Sequence, residues 1–297
     1  TTSRPAPLTL LDCYNLALKQ SEIIAIDAEL INQAEDRFTQ ALGLLLPHVT
    51  FSSTDTRLRS QTSPSSNKAY ERKFVFKQTL FSGFKEFAGM SGSRSERNQR
   101  INEKARAEQL LFVDVSDAFY LVMEEREDLK ILQNVRKTLI NRIKELKKRE
   151  QLGRSRRSEV VNTEVQLYTL ETELESVRSQ ELVARQLLEF LIGRPVGNIF
   201  DLGETMPFLR AEKDYLVRVA MRPDVLAAQQ AWEVSKKNLE VSKSGLLPTV
   251  SLQSDYYTQR NTSPRDAKWD ALLKVEVPIF QGVETYGAIR EAGSKMR

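Results

Sequence analysis

The stretch LGLLLPHVTF at positions 42–51 recurs as SGLLPTVSL at 244–252, which lays Pro248 on Pro47. Likewise VFKQTLFSG at 75–83 recurs as KVEVPIFQG at 274–282, which lays Phe280 on Phe81. In the first copy the proline ends a helix-spaced run, and the spacing then becomes alternating, with Val49, Phe51 and Ser53 on one face. A Ser/Pro/Asn-rich turn follows at about 60–69, and KFVFKQTLF at 73–81 returns and stops at Ser82-Gly83. The two offsets, 201 and 199 residues, differ by two, so the second copy has the shorter turn, around Arg260 to Ala267. Tyr70 falls on Trp269, and each is expected to open its returning strand. A strand hairpin flanked by helices therefore occurs twice, and a repeat of this kind says more about architecture than any single motif.

Outward from the hairpins the pattern is helical. A run at 8–20, LTLLDCYNLALKQ, gives way at Ser21-Glu22 to a second helical stretch ending near Leu46. From Phe84 to about Leu152 there is no proline, and no glycine separates Gly92 from Gly153. A helix of that length would span roughly 100 Å. Its apolar residues Leu111, Val115, Ala118, Val122, Leu129, Leu132, Leu139, Ile143 and Leu146 follow steps of three and four, interrupted by Glu125 and Arg136. A matching seam runs through Val160, Thr163, Leu167, Leu170, Leu174, Val177, Ala184, Leu188 and Leu191, broken by Glu181. The intervening turn, QLGRSRRS, has Gly153 placed as the left-handed residue that closes the first helix. Helices joined by so short a turn pack antiparallel, seam to seam.

This divides the chain into an N-terminal segment and first long helix (1–46), a first β-hairpin (47–83) and a long helical hairpin (84–193). There follow a connecting, equatorial segment (194–222) that opens on the irregular stretch 193–208, the helix of the second repeat (223–247), a second β-hairpin (248–282) and the start of another helix (283–297). By analogy with the first copy, roughly a hundred residues of a second helical hairpin would follow.

Composition narrows the function classes. The chain has 297 residues with 12 glycines and 10 prolines, which favours long elements over many turns. Hydrophobic residues make up 40%, charged ones 28%, and the mean hydropathy is −0.42. No window is long and apolar enough for a membrane-spanning helix, so membrane contact would use strands or a surface. Thr1 to Pro7 lack the profile of a secretory signal, consistent with a cytosolic protein or an already processed chain. The single cysteine, Cys13, excludes an internal disulfide and a multi-cysteine zinc site. Cys13 and the single histidine, His48, read as a buried helix residue and a helix-to-strand junction rather than a nucleophile pair. With 44 basic and 40 acidic side chains the net charge is +4, a mixed surface without a nucleic-acid-reading motif. No phosphate-binding loop, metal cluster or placed carboxylate pair is present, so no catalytic residue, metal or cofactor is expected.

With the duplicated hairpin in hand, the sequence resembles the TolC-like family of bacterial outer-membrane efflux proteins. The resemblance rests on LTLLDCYNLALKQSE near the start, the LLP-then-strand junctions at Pro47 and Pro248, and LFSG and IFQG at the strand ends. FLIGRP at 190–195 and MRPDVLAAQQAWEVSKKNLEVSKSGLLP at 221–248 complete it. It implies a mainly α protein whose long antiparallel coiled-coil hairpin forms part of an α-barrel. Its short β-hairpins would contribute four strands to a trimeric 12-stranded transmembrane β-barrel. It also implies a passive exit duct of a tripartite efflux pump or type I secretion system in the outer membrane of a Gram-negative bacterium. The large periplasmic portion would meet a periplasmic adaptor protein and an inner-membrane transporter.

Strand physics points the same way. Four strands cannot close a barrel, and lipid tolerates no unpaired edge, so strands that span a bilayer here require self-association. One face of the returning strands carries Phe74 and Phe76, then Leu273, Val275, Val277 and Ile279, the expected lipid side. The other carries Lys73 and Lys77, then Lys274 and Glu276, the expected lumen. An ordinary soluble sheet with one solvated face would show the same alternation. Tyr70, Tyr256, Tyr257 and Trp269 cluster near the strand ends as a potential interfacial belt.

At the tip of the helical hairpin the family pattern resembles R-Y-x-x-G-L-x-S-x-x-D-V-L, and positions 149–161 read R-E-Q-L-G-R-S-R-R-S-E-V-V. By resemblance the adaptor-docking tip comprises Arg149, Gly153, Arg154, Arg156, Arg157 and Glu159. Arg154 and Arg156 depart from the leucine and serine usual there. With Lys147 and Lys148 they make a strongly positive tip, suited either to an acidic adaptor or simply to solvation. The reading from a different class is a soluble coiled-coil scaffold.

Overall fold

The computed structural model describes residues 7–58, 67–201, 203, 211–261 and 266–297. Both hairpin turns read from the sequence, near 60–69 and 260–267, fall largely on 59–66 and 262–265, outside the described residues. The elements are α1 (Leu10–Gln20), α2 (Glu22–Gly43), β1 (His48–Leu58), β2 (Asn67–Ser82), α3 (Lys85–Gln151) and α4 (Arg157–Ile192). They continue with α5 (Glu212–Val219), α6 (Pro223–Ser244), β3 (Thr249–Arg260), β4 (Trp269–Glu276) and α7 (Glu284–Met296). Two compact units divide them: Thr1–Ile26 with Ala105–Ala211, and Asp27–Lys104 with Glu212–Arg297.

The first unit is helical. Thr9 caps α1 through a capping box with Asp12, which satisfies two orphan backbone donors at once. Cys13 and Ala17 of α1 are fully buried against Val115, Ala118, Phe119 and Val122 of α3 and Ala184, Leu188 and Ile192 of α4. Burial pushes the Cys13 thiol up to about 11, so it packs as a small hydrophobe rather than reacting as a thiolate. Arg126 meets Glu181, Arg136 meets Glu171 and Lys147 meets Glu164, so position falls on α4 as it rises on α3, an antiparallel pair. Every seam position read from the sequence is buried or half-buried. Leu8 bridges to Ile199, tying the start of the chain to the segment after α4.

Glu181, which breaks the apolar seam, is buried with Arg126 Nε 3.0 Å away and Arg185 Nε 3.2 Å away. Burial pushes its carboxyl up, but the two guanidinium groups outweigh that and hold it below the usual glutamate value. Arg126 also donates to the Gly197 carbonyl at 3.1 Å, so the same cation anchors the chain leaving α4.

The second unit holds one antiparallel sheet in the order β1-β2-β3-β4. All four connections to helices lie at one end of this sheet, because β1 and β3 start there while β2 and β4 finish there. Two differences from the sequence reading concern strand ends. β2 begins at Asn67, so Tyr70 lies inside it rather than opening it. β4 ends at Glu276, whose partner is Thr249. The next pair would set Val277 against Pro248, with Pro278 following, and neither proline has an N–H for the ladder. Val277 and Ile279 are therefore exposed residues beyond the strand rather than members of its apolar face. Within the connecting segment 194–222, Glu212–Val219 forms a helix beyond the irregular stretch expected at 193–208.

Candidate functional site

Register assigns each strand residue to a face, because directly opposed residues in an antiparallel pair share one. Phe51 opposes Phe74, Phe74 opposes Tyr256 and Tyr256 opposes Trp269, so one unbroken aromatic row crosses all four strands. All four rings are exposed, and the Phe51 and Phe74 centroids are 5.2 Å apart. From this row toward the helix end, the same face carries Val49, Phe76, Val250, Leu252, Ala271, Leu273 and Val275, interrupted by Gln78 and Ser254. At the helix end stand Phe81, Phe84 and Phe87, in ring contact in sequence, with Ile279 and Phe280 exposed 96% and 87%. Phe74 to Phe81 is about 23 Å of strand, or roughly 18 Å of height at the tilt of about 40° usual in outer-membrane barrels, most of an apolar band about 25 Å tall.

The opposite face is polar and its charges cancel. Among described strand residues it carries Lys73, Lys77, Arg260 and Lys274 against Glu71, Asp255, Asp270 and Glu276, four of each sign. Lys73 pairs with the buried Asp255, Arg260 with Glu71 at 3.3 Å, and Lys274 with Glu276 at 2.6 Å. Tyr257 lies on this face, not in the aromatic row: Arg260 stacks 4.3 Å from its ring centre, and its hydroxyl donates to Asp270 at 2.9 Å. Thus Lys73, Lys77, Lys274 and Glu276 share one face, while Phe74, Phe76 and Val275 share the other. The complete aromatic row was not legible beforehand, since the Phe51–Phe74 and Tyr256–Trp269 pairs meet only once β2 and β3 are aligned.

At the turn between α3 and α4, the Gly153 amide donates to the Glu150 carbonyl at 2.9 Å and the Arg154 amide to the Arg149 carbonyl at 2.8 Å. Gly153 has φ 72°, so this is the six-to-one closure that needs a left-handed residue. Arg156 caps α4 without a side-chain hydrogen bond, and Ser155 bonds to Glu159. Arg149 is held by Glu145 and Lys147 by Glu164. The hydrogen bond to Glu164 holds the Lys147 ammonium above its usual value. Arg154, Arg156 and Arg157 are exposed and make no ion pair among the described residues, and Leu152 beside them is 70% exposed. The turn therefore gathers Arg149, Gly153, Arg154, Arg156, Arg157 and Glu159, with three cations facing solvent.

The paired sheet and helical hairpin can be set beside known proteins. No family model matches the chain. It is 23% identical to the alkaline protease secretion protein AprF of Pseudomonas aeruginosa, over 97% of this chain and 64% of AprF. It is 19% identical to the outer membrane protein TolC of Vibrio cholerae, over 95% of this chain and 67% of TolC. The crystal structure of the outer membrane protein VceC of Vibrio cholerae superposes with a TM-score of 0.82 at 16% identity, covering 97% of this chain and 72% of VceC. The fold is TolC-like.

The chain thus spans about two thirds of the length of these relatives. The TolC-like likeness covers the two strand hairpins and the helical hairpin together, which is the arrangement that the repeat at Pro47 and Pro248 announced. No helix among the described residues is long and apolar enough to cross a membrane, a fact that bears only on helices.

Proposed function

We propose that this chain is the wall-forming part of an outer-membrane exit duct, a passive conduit of a tripartite efflux pump or type I secretion system. The observation that carries the reading is the sheet: one face is apolar and exposed between two aromatic levels, and β1 and β4 are edge strands without a further partner among the described residues. An open apolar sheet of four strands is unstable in water and in lipid alike, and closing it with further copies resolves both problems. Three copies give the 12 strands that the family resemblance implies. Phe74, Phe76 and Val275 then face lipid, while Lys73, Lys77, Lys274 and Glu276 face a wet lumen. Catalysis has no part in this reading; export is driven by an inner-membrane transporter.

Docking of a periplasmic adaptor falls to the tip. Its three solvent-facing arginines suit an acidic partner surface, and charge at such a rim sets orientation and on-rate more than affinity. Reversing Arg154, Arg156 and Arg157 to glutamate abolishes export while leaving the protein in the membrane; unchanged export removes the tip from the reading.

Labelling tests the wall itself. Single cysteines replacing Phe76 or Leu273, in a Cys13→Ser background, should react with a lipid-soluble maleimide in native membranes and resist a water-soluble one. Cysteines at Lys77 or Lys274 should do the reverse. Equal reaction of both sets with the water-soluble reagent, in protein extracted without detergent, would instead mark a soluble scaffold.

A further inference from the structure

Beyond the aromatic row the outward face changes character within a single pair. Ser53 opposes Arg72, Asp55 opposes Tyr70 and Arg57 opposes Lys68, so three cations and one acid follow the rings on the face that carries Phe51 and Phe74. Arg57, Lys68 and Arg72 are exposed, and none has an ion pair among the described residues. Arg72 Nη1 donates to Gln259 Oε1 at 2.7 Å, and the residue remains exposed. Arg57 and Lys68 are directly opposed like charges, an arrangement that repels across an antiparallel pair. An anion lying between them removes the repulsion.

We propose that Arg57, Lys68 and Arg72 bind the phosphate groups of a phosphorylated glycolipid in the leaflet at the loop end of the sheet. This rests on the lipid-facing reading of the aromatic row. Position selects the ligand. Arg72 lies two residues beyond Phe74, but Lys68 lies six beyond it, which is roughly 15 Å above the row for strands tilted by about 40°. The headgroup layer of a simple phospholipid is only about 5–7 Å deep. Arg57 and Lys68 therefore stand above it, at a height reached by phosphates mounted on a sugar headgroup. Arg72, at the lower level, meets phosphates nearer the acyl chains. The four side chains sum to two positive charges per copy, enough to hold phosphate by charge-assisted hydrogen bonds.

The test uses protein purified from its own membrane in uncharged detergent, with a lipopolysaccharide that carries phosphate on both its acylated disaccharide and its core sugars as probe. Wild type should gain thermal stability with this glycolipid. A smaller gain, through Arg72 alone, should follow from an anionic phospholipid, and none from the same glycolipid stripped of phosphate or from inorganic phosphate. Neutralising Arg57, Lys68 and Arg72 one at a time to glutamine should weaken binding roughly fivefold each. The triple variant should lose the stabilisation while its melting without lipid is unchanged or raised. Equal stabilisation by phospholipid or free phosphate, or a triple variant that responds like wild type, overturns the proposal. A protein that is soluble without detergent overturns the lipid-facing reading first, whereas a detergent-dependent one indifferent to the phosphorylated glycolipid overturns only this inference.

Discussion

Glu181 breaks an apolar seam, yet it lies almost fully buried, and the two cations around it account for its place. Arg185 sits one helical turn along α4 and Arg126 reaches over from α3, so the carboxylate is solvated by donors instead of water. The Arg185 partner was legible from its spacing; Arg126 was not, because it depends on the antiparallel alignment. Replacing Glu181 with alanine strands two partly exposed guanidinium groups and should destabilise the helical unit by about 3 kcal/mol, read from the midpoint of helix melting. Because its folded pKa lies below the ordinary value of 4.5, this contribution is complete above that pH and fades as pH falls through the folded value. Glu181→Gln should therefore melt earlier than wild type at neutral pH, with the gap narrowing as pH falls below 4.5. On the sheet, faces decide the outcome. Leu273→Arg sets a charge in the apolar band and should cost about 2–4 kcal/mol in folding within lipid, whereas Lys274→Leu should be nearly neutral. Denaturant titration in vesicles distinguishes the two, and equal effects would refute the face assignment.

At the scale of elements, the coiled seam and both strand hairpins were legible because periodicity survives without tertiary information. Element ends were not, since they depend on partners: β4 stops where Pro248 and Pro278 remove ladder donors, and β2 runs back to Asn67 because β1 is there to pair with it. The turns differ in how closely they are packed. Gly153 and Gly83 both have left-handed backbones, with φ 72° and 66°. A Cβ on Gly153 would meet nothing within 4 Å, but one on Gly83 would come within 2.8 Å of Leu247 Cβ and 2.9 Å of the Ser244 carbonyl. Gly153→Ala should lose only the conformational term of about 1 kcal/mol, and Gly83→Ala considerably more, because backbone must move. Comparing their melting temperatures checks this, and equal losses would contradict the close approach of α6 to the strand end. Phe84, with φ 63°, is a bulky residue held in the same region between Phe81 and Phe87. Such strain is retained where the side chain's position matters, and here it fixes a ring at the helix end of the apolar band.

For the whole molecule, the wall is defined less by any residue than by count and closure. Four strands with an apolar face and two edges open among the described residues need partners, and in the proposed duct the repeat between Pro47 and Pro248 makes the two hairpins equivalent staves. In the duct proposed above, the cancelling charges of the opposite face, four of each sign among the described strand residues, line a wet lumen that favours neither cations nor anions strongly. The most direct test of closure is disulfide cross-linking in native membranes between cysteines placed along β1, at His48, Thr50 and Ser52, and along β4, at Asp270, Leu272 and Lys274. Thr79 with Ser251, opposed in the sheet, serves as the within-chain control. One register of β1 with β4 should join neighbouring copies into a covalent trimer. A control that closes while no β1–β4 pair links separate chains would contradict it.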